Sequence, residues 1–392
     1  VDLAAFEQLG SPNGTAALAA AAALGPTEPT FLACYERMRK HFPADLAKAA
    51  LETAILREKA KGKFSRAAAM FFTREALEQS SGEAVSQHRA KRFHRFEIVG
   101  DFGCGIGGDA IGLAAVTSVI AVDRDPLRLR MAERNVAAYE LTERVRFIQA
   151  DVLADPLPSV DAVFADPARR SDGRRFISLA NYQPSPRDLL ARFPANLPAA
   201  FKLAPAVPWA ELEAFRGEAE FVSLNGELKE CVLWLGPLVS VRRRATVLPD
   251  NESLAADNPD PPLPVGPPKR YLYDPDPAIT RAGLVTNLGG RLGATMLDHS
   301  IAFLTTDQWH PTPFARGYVV EEVLPFHARR LGELLKTRQV GHVSVLKRGS
   351  AVAVEKLVRR WKLTGTEHRF VILTQVSGAA VAIIATQKLP KA

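Results

Sequence analysis

The sequence predicts an α/β protein: a doubly wound parallel sheet preceded by a helical cap and followed by a second, small α/β domain. Three observations lead there. Between about residues 96 and 240 short apolar runs alternate with helix-like segments, and four of the runs close on an aspartate. A glycine-rich stretch, "DFGCGIGGDAIGLAA" (101–115), joins the first run to a helix. A proline-rich stretch, "PDNESLAADNPDPPLPVGPP" (249–268), then separates this region from a later series of strand-like and helix-like segments. The predicted boundaries are a helical region over 1–92, the sheet domain over 93–245, a linker over 246–270 and the small domain over 271–392.

Each element has a local reason. In "ADLAKAALETAILREKA" the residues Ala47, Ala50, Leu51, Ala54 and Ile55 share one helical stripe. "SSGEAVSQHRAKRF" opens with a capping-box pattern, Ser80 with Glu83, and "FFTREALEQ" reads as a helix beginning at Thr73 and able to fold over a ligand. Five runs read as strands: "FEIVGDFG", "SVIAVDRD", "VRFIQADV", "DAVFADP" and "AAFKLAP". "PLRLRMAERNVAAYE" is a helix between two of them. The proline-rich stretch excludes regular helix and central strand. Beyond it, "GYVVEEVLPF", "HARRLGELLKTR", "HVSVLKRG", "AVEKLVRRWKL", "RFVILTQVSG" and "AVAIIATQKL" read as strand, helix, strand, helix, strand, strand.

Composition narrows the function classes. With 392 residues, 47% hydrophobic and 24% charged, the chain is long and apolar enough for two or three cores. A net charge of +7 favours an anionic partner. The excess is local: Arg329, Arg330, Lys336, Arg338, Lys347, Arg348, Lys356, Arg359, Arg360 and Lys362 stand against Glu333 and Glu355 alone. Those bases form either a phosphate-tracking surface for RNA or the solvated faces of two amphipathic helices. Cys34, Cys104 and Cys231 lie far apart without metal-ligand spacing, so the expectation is a cytoplasmic protein with neither disulfide framework nor metal. No signal peptide or membrane span is expected.

The glycine stretch satisfies two patterns. Gly103, Gly105 and Gly108 spell the dinucleotide fingerprint G-x-G-x-x-G. Asp101, Gly103, Gly105 and Gly107 spell D-x-G-x-G-x-G. A carboxylate just before the loop repels phosphates, whereas a ligand with an ammonium group and no phosphate gives Asp101 a partner. D-x-G-x-G-x-G resembles the nucleotide-side signature of class I methyltransferases, and that resemblance together with Asp101 implies S-adenosyl-L-methionine. Asp123, followed by Arg124, is placed to accept from ribose hydroxyls, and Asp151 with the Val152 amide to meet an adenine edge. Strand-ending aspartates also cap helices and close turns. Four of them beside a glycine loop, on successive strands, go beyond that explanation.

"DFGCGIGGDA", "AVDRDP", "RVRFIQADV" and "DAVFADP", in this order, resemble the class I S-adenosylmethionine-dependent methyltransferases, which have a Rossmann-like sheet. Within that group they look most like the RNA cap guanine-N2 methyltransferase branch. "FFTREALEQSSGEAVSQHRAKRF", "DPARR" and "VLKRG" are similar to bacterial proteins with a THUMP-like C-terminal domain, a module of RNA-modifying enzymes. The resemblance implies a catalytic pair at Asp166 and Pro167, since related amino methyltransferases carry D/N-P-P-aromatic there. Ala168 and Arg169 depart from that pattern, so Arg169 or Arg170 is expected either to stack on a base or grip phosphate, or to pair with Asp155 or Asp172. Lys347 and Arg348 are further expected RNA contacts. The implied activity is methylation of a base nitrogen, guanine N2 among the candidates, in tRNA or rRNA. A protein or small-molecule methyltransferase, and a non-catalytic RNA-binding sensor of S-adenosylmethionine, stand as alternatives.

Overall fold

The computed structural model describes residues 2–168, 170–171, 174–175 and 178–388. The chain divides into two units: Val1–Gly217 with Val232–Ser240, and Glu218–Cys231 with Val241–Ala392.

The first unit begins with helices α1 (Leu3–Leu9), α2 (Pro12–Leu24), α3 (Phe31–Met38) and α4 (Ala44–Ala60). Asp2 and Ser11 accept from Ala5 N and Gly14 N, capping α1 and α2. Helix α4 buries Ala47, Ala50, Leu51 and Ile55, the expected stripe, with Ala54 packed at its margin. Two short helices follow, α5 (Arg74–Gln79) and α6 (Glu83–Ala90). Thr73 caps α5, accepting from Ala76 N at 3.1 Å. The Ser80–Glu83 capping box does not form: Gly82 is the N-cap of α6, and Ser80 ends α5. The Glu83 carboxylate instead accepts from Ser65 N (2.6 Å), Ser65 Oγ (3.1 Å) and Tyr139 Oη (2.8 Å). Three long-range donors satisfy that carboxylate better than one local amide would.

The strands and helices that follow alternate: β1 (Ile98–Phe102), α7 (Gly108–Ala114), β2 (Ser118–Asp123), α8 (Pro126–Ala138), β3 (Val145–Gln149), β4 (Ala162–Ala165), the two-residue β5 (Arg170–Ser171) and β6 (Arg174–Arg175), α9 (Pro186–Leu190), β7 (Ala199–Leu203) and α10 (Trp209–Glu213). β7, β4, β1, β2 and β3 lie side by side in that order, every pair parallel. Residues of β4 and β7 are buried throughout, as expected of central strands covered on both faces. The chain runs outward from β1 to β3 on one side and continues with β4 and β7 on the other. The switch point between β1 and β4 is where such sheets open a crevice at the strands' carboxyl ends.

The second unit contains β8 (Glu218–Leu224), the first half of β9 (Glu227–Leu235), β10 (Arg243–Leu248) and β11 (Glu252–Ala256). β11 runs antiparallel to β10 and forms a sheet edge within the proline-rich stretch. It fits because no proline stands between Pro249 and Pro259. A seven-stranded sheet follows from β12 (Tyr271–Pro275), α11 (Pro277–Ala282), α12 (Val285–Leu292), β13 (Thr295–Asp298), β14 (Ile301–Thr306), β15 (Ala315–Pro325), α13 (Ala328–Thr337), β16 (Val340–Lys347), α14 (Val354–Trp361), β17 (Glu367–Val376) and β18 (Ala379–Lys388). From β15 onward the order of elements is the one read from the sequence. The sheet order is β13-β14-β12-β15-β18-β17-β16, with only β16 and β17 parallel among these pairs. Leu331 and Leu335 of α13 and Leu357 and Trp361 of α14 are buried on it, and the Trp361 indole donates to Ala328 O at 2.8 Å.

Candidate active site

Three glycines set the loop after β1. Gly103 (φ 85°), Gly105 (φ 56°) and Gly107 (φ 83°) are left-handed, a conformation other residues adopt only with strain. Gly108 is not among the residues with positive φ. The three left-handed positions are the glycines of the D-x-G-x-G-x-G pattern. A Cβ on Gly105 would meet no atom within 4 Å, leaving open space above the loop, whereas one on Gly107 would come to 3.2 Å from Ala132. One glycine exposes backbone to a ligand and the other seats α7 against α8.

Two cavities adjoin this loop. The first lies between the loop and α5, lined by Ala76, Gln79, Ser80, Gly105, Asp109 and Asp166 among others. The second is lined by Asp123, Arg124, Asp151, Val152 and Tyr182, and shares Gly103, Arg128, Asp166, Pro167 and Ala168 with the first. The cap helix thus forms one wall of the space at the strand ends, and the loop after β4 belongs to both cavities.

The aspartates here are held differently. Asp123 is nearly buried; Oδ2 accepts from Gly105 N at 2.8 Å and Oδ1 from Asp125 N at 2.9 Å, so it braces the loop it faces. Asp151 Oδ1 accepts from Leu153 N (2.9 Å), and its own amide donates to the Asp155 carboxylate (2.8 Å). Asp166 Oδ2 meets Lys202 Nζ at 2.5 Å. Asp101 is the exception: it is 0% exposed, and neither carboxylate oxygen has a hydrogen-bond partner among the described residues. Burial, and next the nearby Asp166 charge, push its carboxyl up to about 7; Asp123 adds to this, while Arg89 and Lys202 oppose it. Behind the loop Arg89 pairs with Asp109, both hydrogen-bonded to Ser81, and stacks over Phe164 at 4.6 Å.

The unpartnered, fully buried carboxylate of Asp101 stands two residues before the open glycine loop, where a cationic partner would suit it, and relatives show the kind of protein this is. An S-adenosylmethionine-dependent methyltransferase of Mycobacterium tuberculosis is 36% identical over 356 residues, 88% of this chain and 97% of the relative. The chain belongs to the S-adenosylmethionine-dependent methyltransferases. The family model for RNA cap guanine-N2 methyltransferases matches residues 96–183 of this methyltransferase, a THUMP-domain-like model matches 315–387, and a domain of unknown function matches 2–60. Trimethylguanosine synthase of Schizosaccharomyces pombe is 40% identical over 58 residues, 14% of this chain and 24% of that protein. In fold, the methyltransferase is similar to one from Porphyromonas gingivalis, with a TM-score of 0.73 at 20% identity over 93% of this chain and 99% of that one.

The residues of the methyltransferase fit S-adenosylmethionine. Its ammonium group is the kind of partner that Asp101 lacks, and open glycine backbone and the Asp123 and Asp151 carboxylates would suit a nucleoside without phosphates. The bound cofactor supplies a sulfonium methyl group open to in-line displacement. Arg124 is exposed on the rim of the second cavity. Pro167 is buried, and Ala168 exchanges both backbone hydrogen bonds with Gln183 at 3.0 Å, fixing the path of the loop after Asp166. Arg169 and Asp172 lie outside the described residues, and Arg170 begins β5. In the second unit Lys347 Nζ donates to Val352 O (3.2 Å), and Arg348 is engaged by Asp274 (2.8 Å). Sequence reasoning assigned Lys202 no role and overlooked the Arg89–Asp109 pair and Tyr182. The one available signal was the position of Lys202 at the end of the fifth strand. Among the described residues no group of His, Cys, Asp and Glu could hold a metal ion, and no helix is long and apolar enough to cross a membrane.

Proposed function

We propose that this methyltransferase modifies a base nitrogen of tRNA or rRNA in the cytoplasm, with guanine N2 the favoured target. The observation that carries this reading is an Asp-Pro pair at the carboxyl end of β4, opening on the cavity that also contains the glycine loop. Support comes from the RNA cap guanine-N2 match over 96–183, the partial likeness to trimethylguanosine synthase and the THUMP-like match over 315–387. In this reading Asp101, Gly103, Gly105, Gly107, Asp123, Arg124, Asp151 and Val152 hold the cofactor. Asp166 and the Pro167 carbonyl accept the hydrogens of an exocyclic amine, orienting a lone pair otherwise delocalised into the ring. Residues 93–245 act as the catalytic domain, and 271–392 carry the RNA through their basic surface, Lys347 included, while Arg348, expected there from the sequence, is engaged by Asp274. Arg169 or Arg170 takes the place of the missing aromatic by stacking on a base or gripping phosphate.

The test is mass spectrometry of nucleosides from cells lacking the protein and from the same cells expressing it. A methylated guanosine that appears only with the protein is the expected result. Identical nucleoside profiles in tRNA and rRNA would overturn the RNA reading.

A further inference from the structure

The Asp166–Lys202 pair is unusually placed for an ordinary ion pair. Lys202 is 4% exposed, on β7, and Asp166 follows directly on β4; the two strands are parallel neighbours in which Ala165 pairs with Phe201. Register alone therefore brings the next residue of each strand together at the sheet's carboxyl edge. The ammonium group meets only one oxygen of the carboxylate, Oδ2, at 2.5 Å, and gives a second hydrogen bond to Gln79 O at 3.3 Å. Gln79 closes the cap helix α5, and both Gln79 and Asp166 line the first cavity. One buried cation thus joins the acceptor loop, the cap helix and the central sheet.

A carboxylate on a loop rotates freely unless something holds it. Two rotamer states of Asp166 would present different oxygens to an acceptor, and misplacement by an ångström is costly in an in-line displacement. Among the described residues no hydrogen bond engages Oδ1. We propose that Lys202 is a positioning residue for methyl transfer, gripping Asp166 by Oδ2 so that Oδ1 is left to receive a hydrogen of the acceptor amine. The inference rests on the reading of Asp166 as the amine's acceptor. In that step the nitrogen lone pair forms the new bond to the methyl carbon, the carbon–sulfur pair returns to sulfur, and the surplus proton leaves nitrogen along its hydrogen bond to Oδ1.

The test uses the full chain carrying Lys202→Met, Lys202→Arg, Asp166→Asn or Lys202→Met with Asp166→Asn. Labelled methyl transfer is measured to an unfractionated extract of cells lacking the protein, before and after ribonuclease treatment. Affinity for S-adenosylhomocysteine is measured in parallel by calorimetry. The expected result is a fall of about 100-fold in the maximal rate for Lys202→Met, with the acceptor concentration at half-rate and the S-adenosylhomocysteine affinity each within about threefold of wild type. Lys202→Arg is expected to restore at least a tenth of the rate, and the double variant to be no slower than Asp166→Asn alone, because Lys202 acts through Asp166. Three outcomes overturn the proposal: a wild-type rate in Lys202→Met, a loss of S-adenosylhomocysteine affinity as large as the loss of rate, or additive effects in the double variant. Failure of the RNA reading is distinct: the wild-type label then survives ribonuclease, and Lys202 is still judged on total transfer.

Discussion

The glycine-loop pocket and the basic C-terminal module treat charge in opposite ways. Just before the glycine loop Asp101 is fully buried with no hydrogen-bond partner among the described residues. In the module many bases have found acids: Arg338 meets Glu321 and Glu322, Arg369 meets Glu321 and Glu367, Arg348 meets Asp274 and Arg329 meets Glu333. A buried unpaired carboxylate has a desolvation cost that a proton or a cationic ligand offsets, so it is a candidate site marker. Exposed paired charges cost little and mark nothing by themselves. What the module leaves for an anionic partner is therefore narrower than its composition suggests. Arg330, Lys336, Lys356, Arg359, Arg360 and Lys362 are exposed, and Arg359 and Lys362 line one groove with His342 and His368.

The largest effect should come from removing the buried carboxylate before the loop. Asp101→Asn is expected to weaken S-adenosylmethionine binding by roughly 10- to 100-fold, the worth of a charge-assisted hydrogen bond, as read by calorimetry. Wild-type affinity should also fall as pH drops through about 7, where Asp101 takes up its proton. The stability effect runs the other way. Because the folded state raises this carboxyl above its ordinary value, ligand-free protein loses stability as pH climbs from the unfolded value near 4 through the folded value near 7. Asp101→Asn removes that loss, so the variant should melt higher than wild type by a margin larger at pH 8 than at pH 5. A variant that bound the cofactor normally, or melted lower at pH 8, would remove the basis for treating Asp101 as a site marker.

How much of this was legible beforehand follows from the range of the interactions. The glycine loop and the strand-end acids Asp101, Asp123, Asp151 and Asp166 could be read because strand, turn and helix N-terminus are set within a few residues. Lys202 could not be paired with Asp166 from sequence, because their contact depends on which strand neighbours β4. The Ser80–Glu83 capping pattern misled for a related reason: Ser65 and Tyr139 capture Glu83 from far along the chain. In the module the acids that neutralise Arg338, Arg348 and Arg369 stand on β12, β15 and β17. For Arg338 and Arg348, weighing the bases between His327 and Lys362 against Glu333 and Glu355 alone therefore overstated the free positive charge.

The next effect down tests whether Arg348 belongs to the fold. Its guanidinium is about a third exposed, but it meets Asp274, whose side chain is 16% exposed and whose carboxyl burial raises above the usual range. Arg348→Gln removes the cation hydrogen-bonded to that carboxylate, and a loss of about 1–2 kcal/mol in denaturant unfolding is expected after allowing for solvent screening. Normal stability with weakened RNA binding would instead place Arg348 with the free bases. Below this come Arg359→Gln and Lys362→Gln, each expected to leave stability within about 0.5 kcal/mol. Each should weaken binding to bulk tRNA several-fold and lower the slope of log affinity against log salt by about 1 for every phosphate no longer neutralised. Unaltered salt dependence in the double variant would show the groove to be only the solvated face of α14.

The smallest effect is expected at Arg329, and its smallness is the point. Its side chain is 85% exposed and pairs with Glu333 one helical turn along α13. Such a pair gains little from Coulomb attraction in water and gives part of that up in side-chain entropy, so Arg329→Ala should cost no more than about 0.5 kcal/mol. RNA affinity should fall less than for Lys362→Gln, because Glu333 already offsets this charge locally, whereas no ion pair is made by Lys362 among the described residues. Equal losses for the two substitutions would mean that the module acts as a diffuse positive field in which local pairing is irrelevant. A clear ranking, with Lys362 above Arg329, would mean that specific unpaired side chains make the contacts.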